Sequence, residues 1–233
     1  MPESDTSDDV CVYCGCTEAL TDDHIPPKSI FPKQRPSNLI TVRSCRTCNE
    51  GASKDDEYFR LMISMRHDTG DHPAVKKILP TIYRSLQKST KKGFQQALFN
   101  SMGDIDIVSA GGIYLGIAPG YDVDLRRLDR VAARITAGLY FHEFGMRIPG
   151  NLHVKVYSAA GLNNVDSNAK ARVIDIFDKV TRNQPRVFGE NVFAYWFQQV
   201  QGHDTMSAWV LAFYERVAFL CLVTPHSGFK SAT

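Results

Sequence analysis

The sequence lacks a large charge imbalance and a long apolar run. Lys and Arg total 27 against 25 Asp and Glu, a formal net charge of +2 that does not by itself indicate a polyanionic partner. The most apolar window, residues 209–223, is divided by Glu215 and Arg216, so we expect no membrane-spanning helix, which takes about 20 residues. The hydrophobic fraction is 43% and the charged fraction 22%, which excludes a disordered tail and a collagen-like repeat.

Cysteine is scarce, and its distribution is uneven. Five of the six cysteines lie within residues 1–48, whereas Cys221 lies in an apolar run and is expected in the core. Residues 1–9 are acidic and polar, unlike a secretory signal, so we expect a cytoplasmic protein. Disulfides are rare in that compartment, and clustered cysteines there indicate metal binding or catalysis.

The charged residues are also unevenly placed. Residues 1–60 contain seven Lys and Arg against eleven Asp and Glu, and residues 61–100 contain seven against two. An acidic first segment is therefore followed by a basic one that can contact phosphates. Arginines recur at i, i+4 and i+8 on a predicted helix, which forms one stripe, and an ordinary solvated helix face is the alternative. The candidate nucleic-acid contacts are Lys54, Lys76, Lys77, Arg126, Arg130 and Arg134.

The hydrophobic pattern predicts an α+β fold. We expect a small N-terminal module over residues 10–66 and a mixed α+β domain with its own core over residues 67–233. Predicted helices include 55–66, 72–86 and 124–146, and Gly111-Gly112 is expected to be the turn of a hairpin. Residues 152–157, 187–197 and 209–223 are typical of buried or half-buried strands.

Four of the early cysteines have the spacing of a metal site. Cys11-x2-Cys14 and Cys45-x2-Cys48 each present two thiolates, and together they complete the tetrahedron that Zn²⁺ prefers. Such a site is structural, because four protein ligands leave no open coordination position. The alternatives are two unrelated turns or a single redox CxxC motif. Cys16 is expected to be a spare thiol.

The 30 residues between the two CxxC pairs carry further polar groups in a distinctive order. Asp23-His24-Ile25 is followed by Pro27, then by Asn38-Leu39, and Asn49 comes directly after the last cysteine. This order closely resembles the HNH endonucleases, in the variant whose last family histidine is asparagine. The resemblance covers residues ~11–57 and implies the ββα-metal fold, two strands and a helix around a catalytic metal.

The resemblance implies a role for four side chains. Asp23 resembles the metal-binding acid, His24 the general base, Asn38 the asparagine that braces the loop and orients the histidine, and Asn49 the final metal ligand. The chemistry is consistent, because neutral imidazole can accept a proton from water and the Asp and Asn oxygens suit Mg²⁺ or Mn²⁺. Ser53 stands where some relatives have a second helix histidine, which favours a hard ion over zinc at the catalytic site.

Simpler interpretations exist for each residue. An Asp-His pair can be a polar surface turn, Asn38 can merely precede a strand, and Asn49 can cap a helix. Whether Asp22 or Asp23 reaches the metal also stays open.

We therefore predict a metal-dependent endonuclease that hydrolyses phosphodiester bonds of nucleic acid, DNA in preference to RNA. The resemblance implies products with 5′-phosphate and 3′-hydroxyl ends. One alternative is a non-catalytic zinc module that binds nucleic acid or protein. The other is a nuclease effector of a defence or toxin system that needs a partner. The sequence also leaves open whether the chain forms a homodimer.

Overall fold

The protein is described by a computed structural model that covers residues 10–109 and 112–226 and confirms the predicted α+β class. The α-helices of these residues are α1 (Arg46–Ser64), α2 (Pro73–Leu86), α3 (Lys92–Asn100), α4 (Leu125–Phe144) and α5 (Ser167–Thr181). Their strands are β1 (Leu20–Ile25), β2 (Ile40–Cys45), β3 (Gly103–Val108), β4 (Tyr114–Gly120), β5 (Leu152–Ser158), β6 (Arg186–Phe188), β7 (Phe193–Val200), β8 (His203–Phe213) and β9 (Val217–Pro225).

The N-terminal part is an antiparallel β1–β2 pair followed directly by α1. The register runs from Leu20 opposite Cys45 to Ile25 opposite Ile40. Cys45 ends β2 and is also the N-cap of α1, because its Sγ accepts a hydrogen bond from the Cys48 N–H at 3.4 Å. Two strands and a helix are thus joined with no intervening loop between β2 and α1.

The C-terminal part is built on a five-stranded antiparallel sheet in the order β5-β9-β8-β7-β6. Its strands alternate in period two, so each strand presents different residues to the two faces. On one face Val210 and Leu220 pack with Val173 and Val180 of α5. The opposite face carries the large buried aromatic side chains of the main core, which are Tyr195, Trp209, Phe213 and Phe219.

Helix α4 connects the sheet to the N-terminal part. It begins after Asp124, whose side chain accepts a hydrogen bond from the Arg126 N–H, and it ends at Gly145, which has a φ of +67°. Gly138 lies against β1 so closely that a Cβ there would come within 2.6 Å of Ile25 Cγ1. Glycine at this position lets α4 pack directly on the strand that carries His24.

The core differs from the expectation that residues 67–233 pack by themselves. Phe59 of α1 lies 5.1 Å from Phe213 and 5.7 Å from Phe219 between ring centroids, and these rings belong to one continuous cluster. An N-terminal module of this size buries its helix by packing it on the sheet of the second part. The boundary at residue 66 stays a prediction about the chain, but it does not separate two cores.

Two further regions sharpen the predicted elements. Residues 187–197 form two strands, because Gly189, Glu190 and Asn191 adopt positive φ and turn the chain between β6 and β7. Strands β3 and β4 pair as the predicted hairpin, although Gly111 of its turn lies outside the described residues. The apolar side chains of this hairpin, including Ile105 and Leu115, are exposed.

No helix among residues 10–109 and 112–226 is long and apolar enough to cross a membrane.

Candidate active site

The four predicted cysteine ligands converge at one point. The Sγ atoms of Cys11, Cys14, Cys45 and Cys48 all lie within 4.8 Å of one another. Zn–S bonds of about 2.3 Å give a tetrahedron with S···S edges of about 3.8 Å, and the Cys14 Sγ to Cys45 Sγ distance is 3.7 Å. The cluster could therefore hold a zinc ion.

Backbone contacts hold the first CxxC turn beside β2. The Val12 N–H donates to the Arg43 carbonyl at 3.0 Å, and the Gly15 N–H donates to the Cys11 carbonyl at 2.8 Å. From beyond α4, the Arg147 guanidinium donates to the carbonyls of Val12 and Tyr13. Cys16 is exposed and outside the cluster, and Cys221 is buried in the core, as predicted for both.

A second group of polar side chains lines a cleft of about 460 Å³ between β1 and α1. His24 and Asp23 come from β1, and Asn49 comes from the first turns of α1. Three of the four residues that the sequence predicted for catalysis are thus brought to one cavity. Its other lining residues are Asp22, Pro27, Lys28, Ser29, Ser53, Asp56, Glu57 and Arg60.

Asn49 is oriented by β1. Its amide nitrogen donates to Thr21 Oγ1 at 3.0 Å and to the Asp22 carbonyl at 3.4 Å. Among the described residues, none donates a hydrogen bond to the Asn49 Oδ1. Both amide donors are used on the strand, so the carbonyl oxygen is the group left for a ligand in the cleft.

Asp23 is buried, and only one of its carboxylate oxygens is occupied. Its Oδ2 accepts hydrogen bonds from Tyr13 Oη at 2.7 Å and from Arg134 Nη2 at 2.6 Å. The same guanidinium bonds Asp56 through Nη1 at 2.9 Å. Within the described residues, the Oδ1 of Asp23 accepts no hydrogen bond. Tyr13 and Arg134 of α4 therefore fix the Asp23 carboxylate through Oδ2. Its Oδ1 remains available to a ligand in the cleft that Asp23 lines.

His24 is half-buried beside a lysine. Burial, and then the positive charge of Lys28, lower the pKa of the His24 imidazole below its usual value, although Asp23 opposes the shift. A lowered pKa keeps the ring neutral near pH 7, the form in which it can accept a proton. Burial also raises the pKa of the Asp56 carboxyl, although Arg134 opposes this shift.

Comparison with known families points the same way. Residues 11–55 match the HNH endonuclease family. The match begins at the first cysteine of the zinc cluster and covers about a fifth of the chain. It confirms the resemblance that the motif order indicated and points to a nuclease-type function. Comparisons with curated proteins and with solved structures found no match.

Two further residues named by the motif, Asn38 and Asp22, are placed differently from these three. Asn38 is exposed, and among the described residues its side chain forms no hydrogen bond, so it does not hold His24 in the way that the resemblance implied. Asp22 lines the cleft but is exposed, and it accepts a hydrogen bond from Arg43 at 2.6 Å across the β1–β2 pair. Asp23 is therefore the better held of the two acids.

The predicted arginine stripe is only partly exposed. Arg126 is exposed, and Arg130 is 59% exposed and bonds Asp55, but Arg134 is only 13% exposed and is engaged by Asp23 and Asp56. Arg134 therefore supports the HNH site from the interior rather than presenting a charge to a phosphate. Arg134 is buried because the N-terminal part packs over the end of the stripe.

The predicted lysine contacts occupy different places. Lys54 is exposed and lines a second cavity beside the cleft. Lys76 pairs with Asp71 at 3.1 Å on α2, and neither Lys76 nor Lys77 lines the cleft or that second cavity.

The sequence pattern did not identify three cleft residues on α1. Asp56, Glu57 and Arg60 follow Asn49 by seven, eight and eleven positions, which places them on one face of the helix together with Ser53. This helical spacing was a usable signal. It did not identify them because many charged residues recur at such spacing on solvated faces.

Proposed function

We propose that the protein is a metal-dependent endonuclease that hydrolyses phosphodiester bonds of nucleic acid, DNA in preference to RNA. The observation that carries this proposal is the convergence of His24, Asp23 and Asn49 on one cleft within the match to the HNH family. The products would carry 5′-phosphate and 3′-hydroxyl ends.

The donor atoms fit a hard divalent ion. The free Oδ1 of Asp23 and the free Oδ1 of Asn49 are hard oxygen ligands, and two protein ligands leave most positions for water and phosphate, as Mg²⁺ prefers. Asp22, Asp56 and Glu57 also line the cleft, where they pair with Arg43, Arg134 and Lys91 respectively. Mg²⁺ or Mn²⁺ bound there would act as a Lewis acid toward the phosphate oxygens.

The chain's own residues would supply the proton transfer and the positioning. His24, kept neutral by burial and Lys28, accepts the proton of the attacking water at a ring nitrogen. Arg134 and Tyr13 hold the Asp23 carboxylate in one orientation. The cysteine cluster fixes the start of α1 and hence the position of Asn49, four residues after Cys45.

The test is cleavage of plasmid, linear DNA and RNA by the purified chain, with and without Mg²⁺ or Mn²⁺. His24→Ala should lower the cleavage rate by about 10²- to 10⁴-fold, while zinc content and melting temperature stay unchanged. The matched control is His203→Ala, an exposed histidine on β8 outside the cleft. Undiminished cutting by His24→Ala would contradict the assignment. Tight binding with no divalent-ion dependence and no cleavage would favour the non-catalytic zinc module.

A further inference from the structure

A second cavity lies beside the cleft on α1. Its volume is about 240 Å³, and it shares Glu57 and Arg60 with the cleft. The two cavities therefore adjoin along one helix. Pockets for drug-sized ligands have volumes of roughly 300–1,000 Å³. The second cavity, which we call the side pocket, is thus suited to a group smaller than a drug-sized ligand.

The side pocket has an aromatic and aliphatic lining. Tyr58 and Phe94 meet edge to face, with ring centroids 5.9 Å apart and an interplanar angle of 78°. Tyr58 is buried, and its Oη accepts a hydrogen bond from the Asp124 N–H at 2.7 Å, so its ring is fixed in place. Leu61, Ile82 and Leu86 supply the aliphatic part of the lining. Rings and aliphatic groups of this kind form stacking surfaces for nucleobases.

Cations outnumber acids around this lining. Lys54, Arg60, Lys91 and Arg127 line the side pocket, and Glu57 is its acidic residue. Lys91 pairs with Glu57, and Arg127 lies 4.0 Å above the Tyr58 ring and bonds Asp55. An apolar floor bounded by cations matches the chemistry of a nucleotide, which combines a flat base with an anionic phosphate.

Arg60 is the cation without a partner at the junction of the two cavities. No acid of the described residues lies within 4.0 Å of its guanidinium, and its Nε is buried and makes no hydrogen bond. Arg60 lines both cavities and has no acidic partner among the described residues, so its guanidinium is available to an anionic ligand. Phosphate oxygens are the usual anionic partner of such a group.

We propose that the side pocket receives one unstacked nucleobase of the substrate strand, while Arg60 contacts a phosphate between that base and the scissile bond. This inference rests on the proposed nuclease function and adds the substrate class, which is single-stranded or locally unpaired nucleic acid. A base inside a duplex must first leave its stack, at a cost that disfavours fully paired substrates.

The test measures binding, so it does not depend on cleavage. Full-length His24→Ala protein is titrated, without divalent ions, into a fluorescent single-stranded DNA oligonucleotide and into its duplex, and anisotropy gives the dissociation constants. We expect the single strand to bind more tightly than the duplex. Added Phe94→Ala should weaken single-strand binding about fivefold or more and leave duplex binding unchanged. The matched control is Phe99→Ala, which lies on the same helix, is 57% exposed and lines neither cavity.

Two further variants keep the test decisive if Phe94→Ala perturbs α3. Phe94→Leu preserves apolar packing but removes the stacking ring, and should weaken single-strand binding in the same direction. Arg60→Met should weaken single-strand binding. It should also reduce the slope of log K against log salt concentration by about 1, as expected for the loss of one phosphate contact. Equal affinity for single strand and duplex, or no effect of either Phe94 variant in folded protein, would overturn the inference.

The two proposals fail separately. If the wild-type chain cleaves nucleic acid but Phe94 has no effect on binding, the side pocket proposal is wrong and the nuclease stands. If the chain never cleaves but binds single strands through Phe94 and Arg60, the base site stands and the nuclease proposal is wrong.

Discussion

The cysteine cluster and the cleft are two polar sites within the same N-terminal part, and they are built differently. The cluster takes its four thiols from the Cys11–Cys14 turn and from the junction of β2 with α1, and CxxC spacing sets each pair. The cleft takes its polar side chains from β1 and α1, but the orientation of Asp23 depends on Arg134, which lies 111 residues further along the chain. Arg147 of the C-terminal part contacts only the backbone of the first CxxC turn, whereas Arg134 bonds the Asp23 side chain directly.

The contacts between α1 and α4 contain two sets of arginine–aspartate pairs that differ in burial. Asp55 and Asp56 are neighbours on α1, and Arg130 and Arg134 are one turn apart on α4. In the outer pair, Arg130 is 59% exposed, although its partner Asp55 is 21% exposed and also bonds Arg127. In the inner set, Arg134 is 13% exposed and pairs with Asp56 and Asp23, which are 17% and 8% exposed. Burial makes the inner set costly to disrupt, because an unpaired charge there cannot be solvated.

The largest effect should come from breaking the cysteine cluster. Cys45→Ser removes a thiolate ligand while its hydroxyl can still cap α1, so we expect loss of the bound zinc and destabilisation by several kcal/mol from that loss. Metal analysis and thermal melting measure both changes. Cys16→Ser is the matched control, because Cys16 is exposed and outside the cluster. Retention of one zinc per chain by Cys45→Ser would show that the four cysteines do not form the site.

A smaller loss should follow from removing the distant support of the cleft. Arg134→Met leaves Asp23 and Asp56 buried without their cation, which should cost about 3–5 kcal/mol in the free energy of unfolding. The loss should shrink as the pH falls, because the variant's buried carboxyls can then be protonated. Chemical denaturation at several pH values measures this, with zinc content expected to stay unchanged. An unfolding free energy equal to that of the wild type would contradict the distinction between the inner and outer pairs.

The smallest effect should come from the outer pair. Hydrogen bonds from Arg130, and then from Arg127, lower the pKa of the Asp55 carboxyl, although burial opposes the shift. A lowered pKa means that the pair stabilises the fold above about pH 3.8 and that this contribution is lost as the pH falls through the lowered value. Asp55→Asn should therefore cost about 1 kcal/mol or less near neutral pH, with the difference vanishing in acid. If Asp55→Asn lowered the free energy of unfolding at neutral pH as much as Arg134→Met does, the distinction between the outer pair and the inner set would be wrong.

Some of the candidate site was predictable because its signals are local. The spacing of Cys11, Cys14, Cys45 and Cys48 indicated a shared metal site, and the four Sγ atoms do converge. The order of Asp23, His24 and Asn49 around those cysteines likewise indicated the HNH family, which matches residues 11–55. Helix α4 was predictable from its apolar periodicity, since that pattern depends only on helix geometry.

Other features depended on contacts between distant residues. The spacing of Arg126, Arg130 and Arg134 could describe a stripe but not the burial of its last member, because burial depends on what packs over the helix. The same holds for Phe59, which the apolar pattern placed on a core-facing helix but which packs on the distant sheet residues Phe213 and Phe219. Residue types and their spacing thus determined which ligands this protein offers and in what order. The tertiary structure alone decided which of those groups are buried, paired or free, because desolvation and long-range packing are properties of the assembled chain.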